Sequence, residues 1–416
     1  MVGGPDIVTR HSGRLALGIA LALILFHVAV HRDTGGWEAK GAIVDTVLLD
    51  HHLVEWEWAH TGRIAQLLDA QVTPFREVNT QDLYRLAGPF LMALVRPPGV
   101  GAYGAALAAT TLAWLGAAWS LFIIGRHMRS ASAGIAAAAL TATGTGYVAF
   151  IGNVDAHQFG YAAVSVWLGL AAAGGALGIL PVARGWSREV GLGLALCLAG
   201  YAMEVAYPLL LFTWLYYGGR GLLAGAWHPT LMRLGVVTLS FAVPYFGFRL
   251  VAEQLLFERV EAFNEPFARL AGRLTALSTM GALPWLRSLA EDTLYRWPPL
   301  FPLPVTLLAL VGAFAVSRRW LLWCALSTAT IFFAVLVVKP AFRDLFLAAP
   351  GVYVLAACGA DWMAAGLIRR VRPRGGQGAA VLQLAVTLAL VAPAVAMINA
   401  DLWGDYWLPY MWHGRQ

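Results

Sequence analysis

The sequence predicts an all-α, polytopic membrane protein, and three observations carry that prediction. Of 416 residues, 59% are hydrophobic and only 12% charged, with a mean hydropathy of +0.66; a soluble domain carries about 25% charged residues. Long uncharged runs recur along the whole chain, so residues 1–416 read as a single integral membrane domain. The basic residues, finally, sort to alternate loops. The net charge of +6 therefore reports sidedness in a membrane and does not point to nucleic acid.

Hydropathy and length predict about eleven transmembrane helices, over residues 15–31, 100–125, 132–151, 158–180, 189–202, 205–218, 232–251, 299–317, 320–338, 345–367 and 379–398. The first has no small-residue cleavage site after it and is read as a retained span. The fifth and sixth are short and meet at Glu204, as a tight hairpin or one broken helix would. The apolar stretch Leu83–Val95 is cut to about twelve residues by Gly88, Pro89 and Arg96-Pro97-Pro98, too few to cross, so it reads as interfacial or re-entrant.

One set of loops holds Arg10, Arg14, Arg126, Arg129, Arg184, Arg188, Arg220, Arg233, Arg318, Arg319, Arg369, Arg370, Arg372 and Arg374, against the acids Asp6 and Glu189. Positive residues stay cytoplasmic, which places the N-terminus inside and the C-terminus outside. Asp361 remains inside a span, where it pairs with a neighbouring arginine or faces a polar crevice. Two outer loops are long, residues 32–99 and 252–298, and each is expected to carry a juxtamembrane helix: a run through Gly62–Ala70 in the first, and Phe263–Leu283 in the second. Trp37, Trp56, Trp58, Trp285, Trp297, Trp403, Trp407 and Trp412 fall on this side, as an interfacial belt would. Cys197, Cys324 and Cys358 lie in apolar runs at unrelated spacings and read as packing residues.

Polar residues gather at the outer ends of the spans in four groups. The first loop supplies Asp45, Asp50, His51, His52, Glu55, Glu57 and His60; the turn after the third span supplies Asn153, Asp155 and His157; Glu204 stands alone; Lys339, Arg343 and Asp344 precede the tenth span. Carboxylates at a membrane boundary are costly unless paired, solvated or used. Asp155 has a second reading as the cap of the following helix, and a buried pair with an arginine would account for Glu204. His51-His52 lacks the spacing of a metal motif.

This arrangement resembles the GT-C superfamily of lipid-linked glycosyltransferases, and is most similar to its aminoarabinose and protein-mannosyl transferase branches. The likeness rests on a retained first span, a first-loop acid (Glu55, or Glu57 or Asp50 in another register) ahead of a juxtamembrane helix, and Arg96-Pro97-Pro98 before the second span. Asn153-Val154-Asp155 stands where the family has a short outer turn with an acid, and Glu204 echoes a further outer acid. Glu in place of the usual Asp, and Gly99 where leucine is more usual, depart from the pattern. The likeness covers most of the first 210 residues; the rest agrees in span pattern alone.

The resemblance implies an enzyme of a cell envelope, in the bacterial inner membrane, moving a sugar from a polyprenyl-phosphate-linked donor to an acceptor at the outer face, among membrane lipids. Glu55, Glu57, Asp50 and Asp155 would then do the acid–base work. Arg85, Arg343 and Lys339, with Arg96 in reserve, would meet the donor phosphate, and His157 and Glu204 would line the site. Some branches use a divalent metal held by carboxylates, which the residues here leave open. Two other classes compete. A transporter or flippase of lipid-linked sugar would place charges in mid-span. A polysaccharide polymerase or ligase would carry a histidine in its late loop, whereas residues 252–298 hold arginines and no histidine.

Overall fold

The computed structural model describes residues 7–33, 91, 94, 102–143, 156–173, 186–203, 205–257, 271–272, 275, 278–338, 345–371 and 377–403. Every regular element among them is helical. In order these are α1 (Ile7–Asp33), α2 (Ala102–Met128), α3 (Ala131–Thr143), α4 (Ala156–Ala172), α5 (Ser187–Ala202), α6 (Ala206–Thr213), a π turn (Trp214–Gly218) and α7 (Gly219–Leu223). There follow α8 (Trp227–Phe257), α9 (Ala282–Leu300), α10 (Leu303–Ala315), α11 (Arg318–Val338), a 3-10 turn (Phe346–Ala348), α12 (Ala349–Val371) and α13 (Gln377–Trp403).

The described parts of the apolar runs are helical. Five stretches are long and apolar enough to cross a bilayer: Leu107–Met128, Trp227–Phe248, Arg318–Val337, Phe346–Val371 and Gly378–Met397. Ala131–Thr143, Phe159–Ala172 and Leu303–Ala315 are shorter apolar helices. Large apolar side chains cover the outside of the bundle, with Leu223 90% and Phe314 87% exposed. Water would penalise such a surface and lipid does not. The chain is an integral membrane protein.

α12 is the central helix and is buried along most of its length, between α10, α3, α11 and α13. Small residues allow it to sit there. A Cβ on Gly312 of α10 would run into the Leu355 carbonyl of α12, and one on Gly359 of α12 into the Leu308 carbonyl of α10. The two backbones touch in both directions, the close approach that glycine makes available between helices in lipid. A second such crossing joins α2 to α3, where a Cβ on Gly134 would lie 2.6 Å from the Phe122 carbonyl oxygen. Between those helices the turn is capped by Ser130, whose Oγ accepts from the Ala133 amide at 3.1 Å.

The junction of α5 and α6 is a hairpin. Met203 is extended (φ −169°, ψ 164°) and ends α5, and the chain then doubles back. Leu192 near the start of α5 and Thr213 at the end of α6 line one cavity. Trp167 of α4 bridges the same level, its Nε1 donating to the Leu192 carbonyl at 3.1 Å and its ring 6.2 Å from that of Phe212. α8 then runs parallel to α5, with Gly193 against Val237 and Ser240, and Gly200 against Tyr245.

The second long loop ends in a further helix, α9, of 19 residues; most of Phe263–Leu283 lies outside the described residues, and 271–272, 275 and 278–280 within it are helical. Gly281, at φ 82°, sets the break before α9, a backbone angle that disfavours any other residue. Trp297, grouped by sequence with an interfacial belt, is partly buried and packs against the core. Its ring lies 4.5 Å from Phe301 and 5.8 Å from Phe332, and its Nε1 donates to Thr306 Oγ1.

Candidate active site

The bundle has two chemically distinct ends, fixed by which residues meet. At the first end the arginine-bearing turns collect. Arg129, after α2, donates through Nε to Asp361 Oδ2 at 2.7 Å and through Nη1 to the Ala315 carbonyl at 3.1 Å. Gln383 of α13 donates to Asp361 Oδ1, also at 2.7 Å. Asp361, 1% exposed, thus ties four elements together and is a structural clamp. The alternative of an open polar crevice falls away, because both of its oxygens are engaged. Tyr216 Oη donates to the Arg319 carbonyl and Tyr217 Oη to that of Ala171, at 3.4 Å each. Glu189 is buried and pairs with Arg233 at 3.5 Å.

The second end is marked by a close approach of three elements. A Cβ built on Gly160, in the first turns of α4, would lie 2.9 Å from Met203 Cβ and 3.5 Å from Leu347 Cδ2. Met203 is the apex of the α5–α6 hairpin, and Leu347 belongs to the 3-10 turn leading into α12. Only a residue without a side chain lets these elements come so near. Behind them the core is aromatic: Trp114 lies 5.1 Å from Tyr161, and Phe301 lies 6.3 Å from Tyr353.

Nine of the ten residues proposed from sequence lie outside the described residues: Asp50, Glu55, Glu57, Arg85, Arg96, Asp155, Glu204, Lys339 and Arg343. His157 falls in the first turn of α4, and only its backbone is described. The residues that adjoin three of the four polar groups are nonetheless those that meet. Gly160 is a few positions beyond Asp155 and His157, Met203 precedes Glu204, and Leu347 follows Arg343 and Asp344. Among the described residues no group of three or more His, Cys, Asp or Glu side chains could hold a metal ion. Cys197, Cys324 and Cys358 are all free and buried. What sequence reasoning missed at this end is Gly160, which no residue-type rule flags, since its role is to be small at a three-way contact.

Comparison with known proteins places this geometry in a fold. No protein-family model matches the chain, and no curated protein matches it. Among solved structures, it is similar to the archaeal oligosaccharyltransferase AglB of Archaeoglobus fulgidus in complex with an inhibitory peptide and a dolichol-phosphate. That match has a TM-score of 0.52 at 12% identity, over 95% of this chain and 56% of that one. The apo form of the Archaeoglobus fulgidus oligosaccharyltransferase gives a TM-score of 0.44 at 16% identity, over 88% of this chain and 56% of that one. The same enzyme tethered to an acceptor peptide gives 0.43 at 14% identity, over 78% and 46%. The first match shows that the chain shares the helical fold of that oligosaccharyltransferase. This chain spans little more than half the length of that enzyme.

Proposed function

We propose that this chain is a GT-C-type glycosyltransferase that moves a sugar from a polyprenyl-phosphate-linked donor to an acceptor at the outer face of a membrane. In this reading the chain crosses eleven times, with its N-terminus cytoplasmic. The observation that carries the proposal is the meeting of Gly160, Met203 and Leu347 at the end opposite the arginine-rich turns. It gathers the flanks of three polar groups from distant parts of the sequence. The shared fold with an oligosaccharyltransferase solved with a dolichol-phosphate supports the same class of donor.

The chemistry follows from the residue types. An acceptor hydroxyl is a poor nucleophile at neutral pH, so a carboxylate must take its proton as the new bond forms. Glu55 or a first-loop neighbour (Glu57, Asp50) is the proposed base, and Asp155 orients the acceptor. The departing lipid phosphate gathers negative charge, which Arg85 and Arg343, helped by Lys339 or Arg96, meet with forked, charge-assisted hydrogen bonds. His157 and Glu204 line the pocket. The transporter and polymerase readings have no comparable observation.

The test is transfer from a polyprenyl-phosphate sugar by the full chain in nanodiscs. Asp155→Asn and Glu55→Gln should each lower it by about 10²- to 10⁴-fold, the usual contribution of a positioned acid or base. Expression and elution profile should stay unchanged. Retained activity in both variants, or an experimental map in which none of Asp50, Glu55 and Glu57 lies within about 10 Å of Asp155, would overturn the assignment.

A further inference from the structure

The arginine-rich end holds a cavity of about 300 Å³ that the proposed transfer reaction does not use. It lies between the start of α5, the π turn with α7, and the start of α8. Three of its lining residues are arginines, Arg188, Arg220 and Arg233, and one is an acid, Glu189. Glu189 is engaged by Arg233 at 3.5 Å, so the cavity keeps a net positive charge. Arg220 stacks its guanidinium 5.7 Å from the Tyr216 ring centre, which holds it at the rim. Arginine cannot shed its charge, so Arg188 and Arg220 bring the cavity two positive charges that Glu189, engaged by Arg233, does not offset. The remaining wall is apolar, formed by Leu192, Leu234 and Val237. At its edge, next to the lining Arg220 and Gly221, Leu222 and Leu223 are exposed.

A free inorganic anion would need only the arginines. An apolar wall with exposed leucines at its edge suits an amphiphile. We propose that this cavity binds the phosphodiester headgroup of an anionic phospholipid from the leaflet at the arginine-rich end, with its acyl chains along α5 and α8. Basic pockets between helices are the usual receptors for such headgroups. The phosphate pairs with the guanidinium groups of Arg188 and Arg220, while Arg233 stays with Glu189. The inference stands apart from whatever reaction the opposite end performs.

The experiment uses the full chain in detergent, titrated with short-chain phosphatidylglycerol, short-chain phosphatidylcholine or inorganic phosphate. Binding is followed by native mass spectrometry and by thermal shift. Wild-type protein should bind phosphatidylglycerol at least about tenfold more tightly than phosphatidylcholine, a preference of the size that one charge-assisted hydrogen bond gives. Arg188→Gln and Arg220→Gln should each reduce that preference, and Arg318→Gln, an exposed arginine at the same end, should leave it intact. Arg220→Gln changes an exposed side chain and keeps the test open if Arg188→Gln fails to fold. Equal binding of the two lipids, or an equal loss in Arg318→Gln, would overturn the site. Phosphate binding as tight as phosphatidylglycerol would show a soluble anion as its occupant and overturn the lipid assignment.

Discussion

Removing the Asp361 carboxylate should cost more stability than any other single polar change at the arginine-rich end. Asp361 is 1% exposed and accepts two hydrogen bonds of 2.7 Å, one from Arg129 and one from Gln383. Asp361→Leu strands both donors. Each buried donor without an acceptor costs about 1–3 kcal/mol, and breaking one side of a buried ion pair costs about 3–5 kcal/mol. Arg129 is 20% exposed and keeps its bond to the Ala315 carbonyl, so the lower part of that range, about 3 kcal/mol, is expected. Asp361→Asn should fall nearly as far, because its amide presents a donor to one of two donors already in place. The double variant Asp361→Leu with Arg129→Leu removes both charges at once. Its cost should be smaller than the sum of the singles by about 2 kcal/mol, a coupling of the size seen between contacting partners. Equilibrium unfolding in detergent, read on all four members of the cycle, measures this. If Asp361→Leu is within about 0.5 kcal/mol of wild type, or the double variant is additive, the clamp is not a stabilising contact and its assignment is wrong.

The remaining predictions concern packing and topology. Gly312→Val and Gly359→Val should each separate α10 from α12 and lower the yield of monodisperse protein sharply, since the added side chain would meet a backbone carbonyl that cannot move aside; Gly366→Ala, with nothing within 4 Å, is the control that should be silent. Reporter fusions should place Arg372 and Met411 on opposite sides of the membrane, Arg372 inside, because the arginine-bearing turns gather at one end of the bundle. Both reporters on one side would refute the assigned sidedness.

Much of the helical pattern was legible in the sequence because lipid leaves little choice. A long apolar run must satisfy its backbone within itself, so each becomes a helix whatever its partners. Asp361 was legible for the same reason: a carboxylate in an apolar span needs a partner, and an arginine close to the same end supplies it. α9 was hidden because Arg287, Glu291, Asp292 and Arg296 interrupt its apolar positions and prolines stand near both its ends. It reads as a polar loop until its helical period is followed. For Trp297, side assignment says nothing of rotation about a helix axis. Whether a tryptophan meets lipid headgroups or the Phe301–Phe332 core depends on which face the helix turns inward.

The hairpin shows where sequence reasoning stops and packing takes over. Two short apolar runs flanking Glu204 are compatible with a break or a reversal, and nothing in either run decides between them. The decision is made by contacts at the far ends. Trp167 reaches from α4 to the Leu192 carbonyl of α5 and to the Phe212 ring of α6, so one side chain holds both arms at one level. With both arms so held, the extended Met203 must sit at the opposite end, where Gly160 leaves room for it. Met203 is therefore fixed as the apex, beside the start of α4 and the turn into α12. A reaction centre built from loops needs such an anchored frame, because loops alone do not hold carboxylates and cations to the fraction of an ångström that group transfer requires.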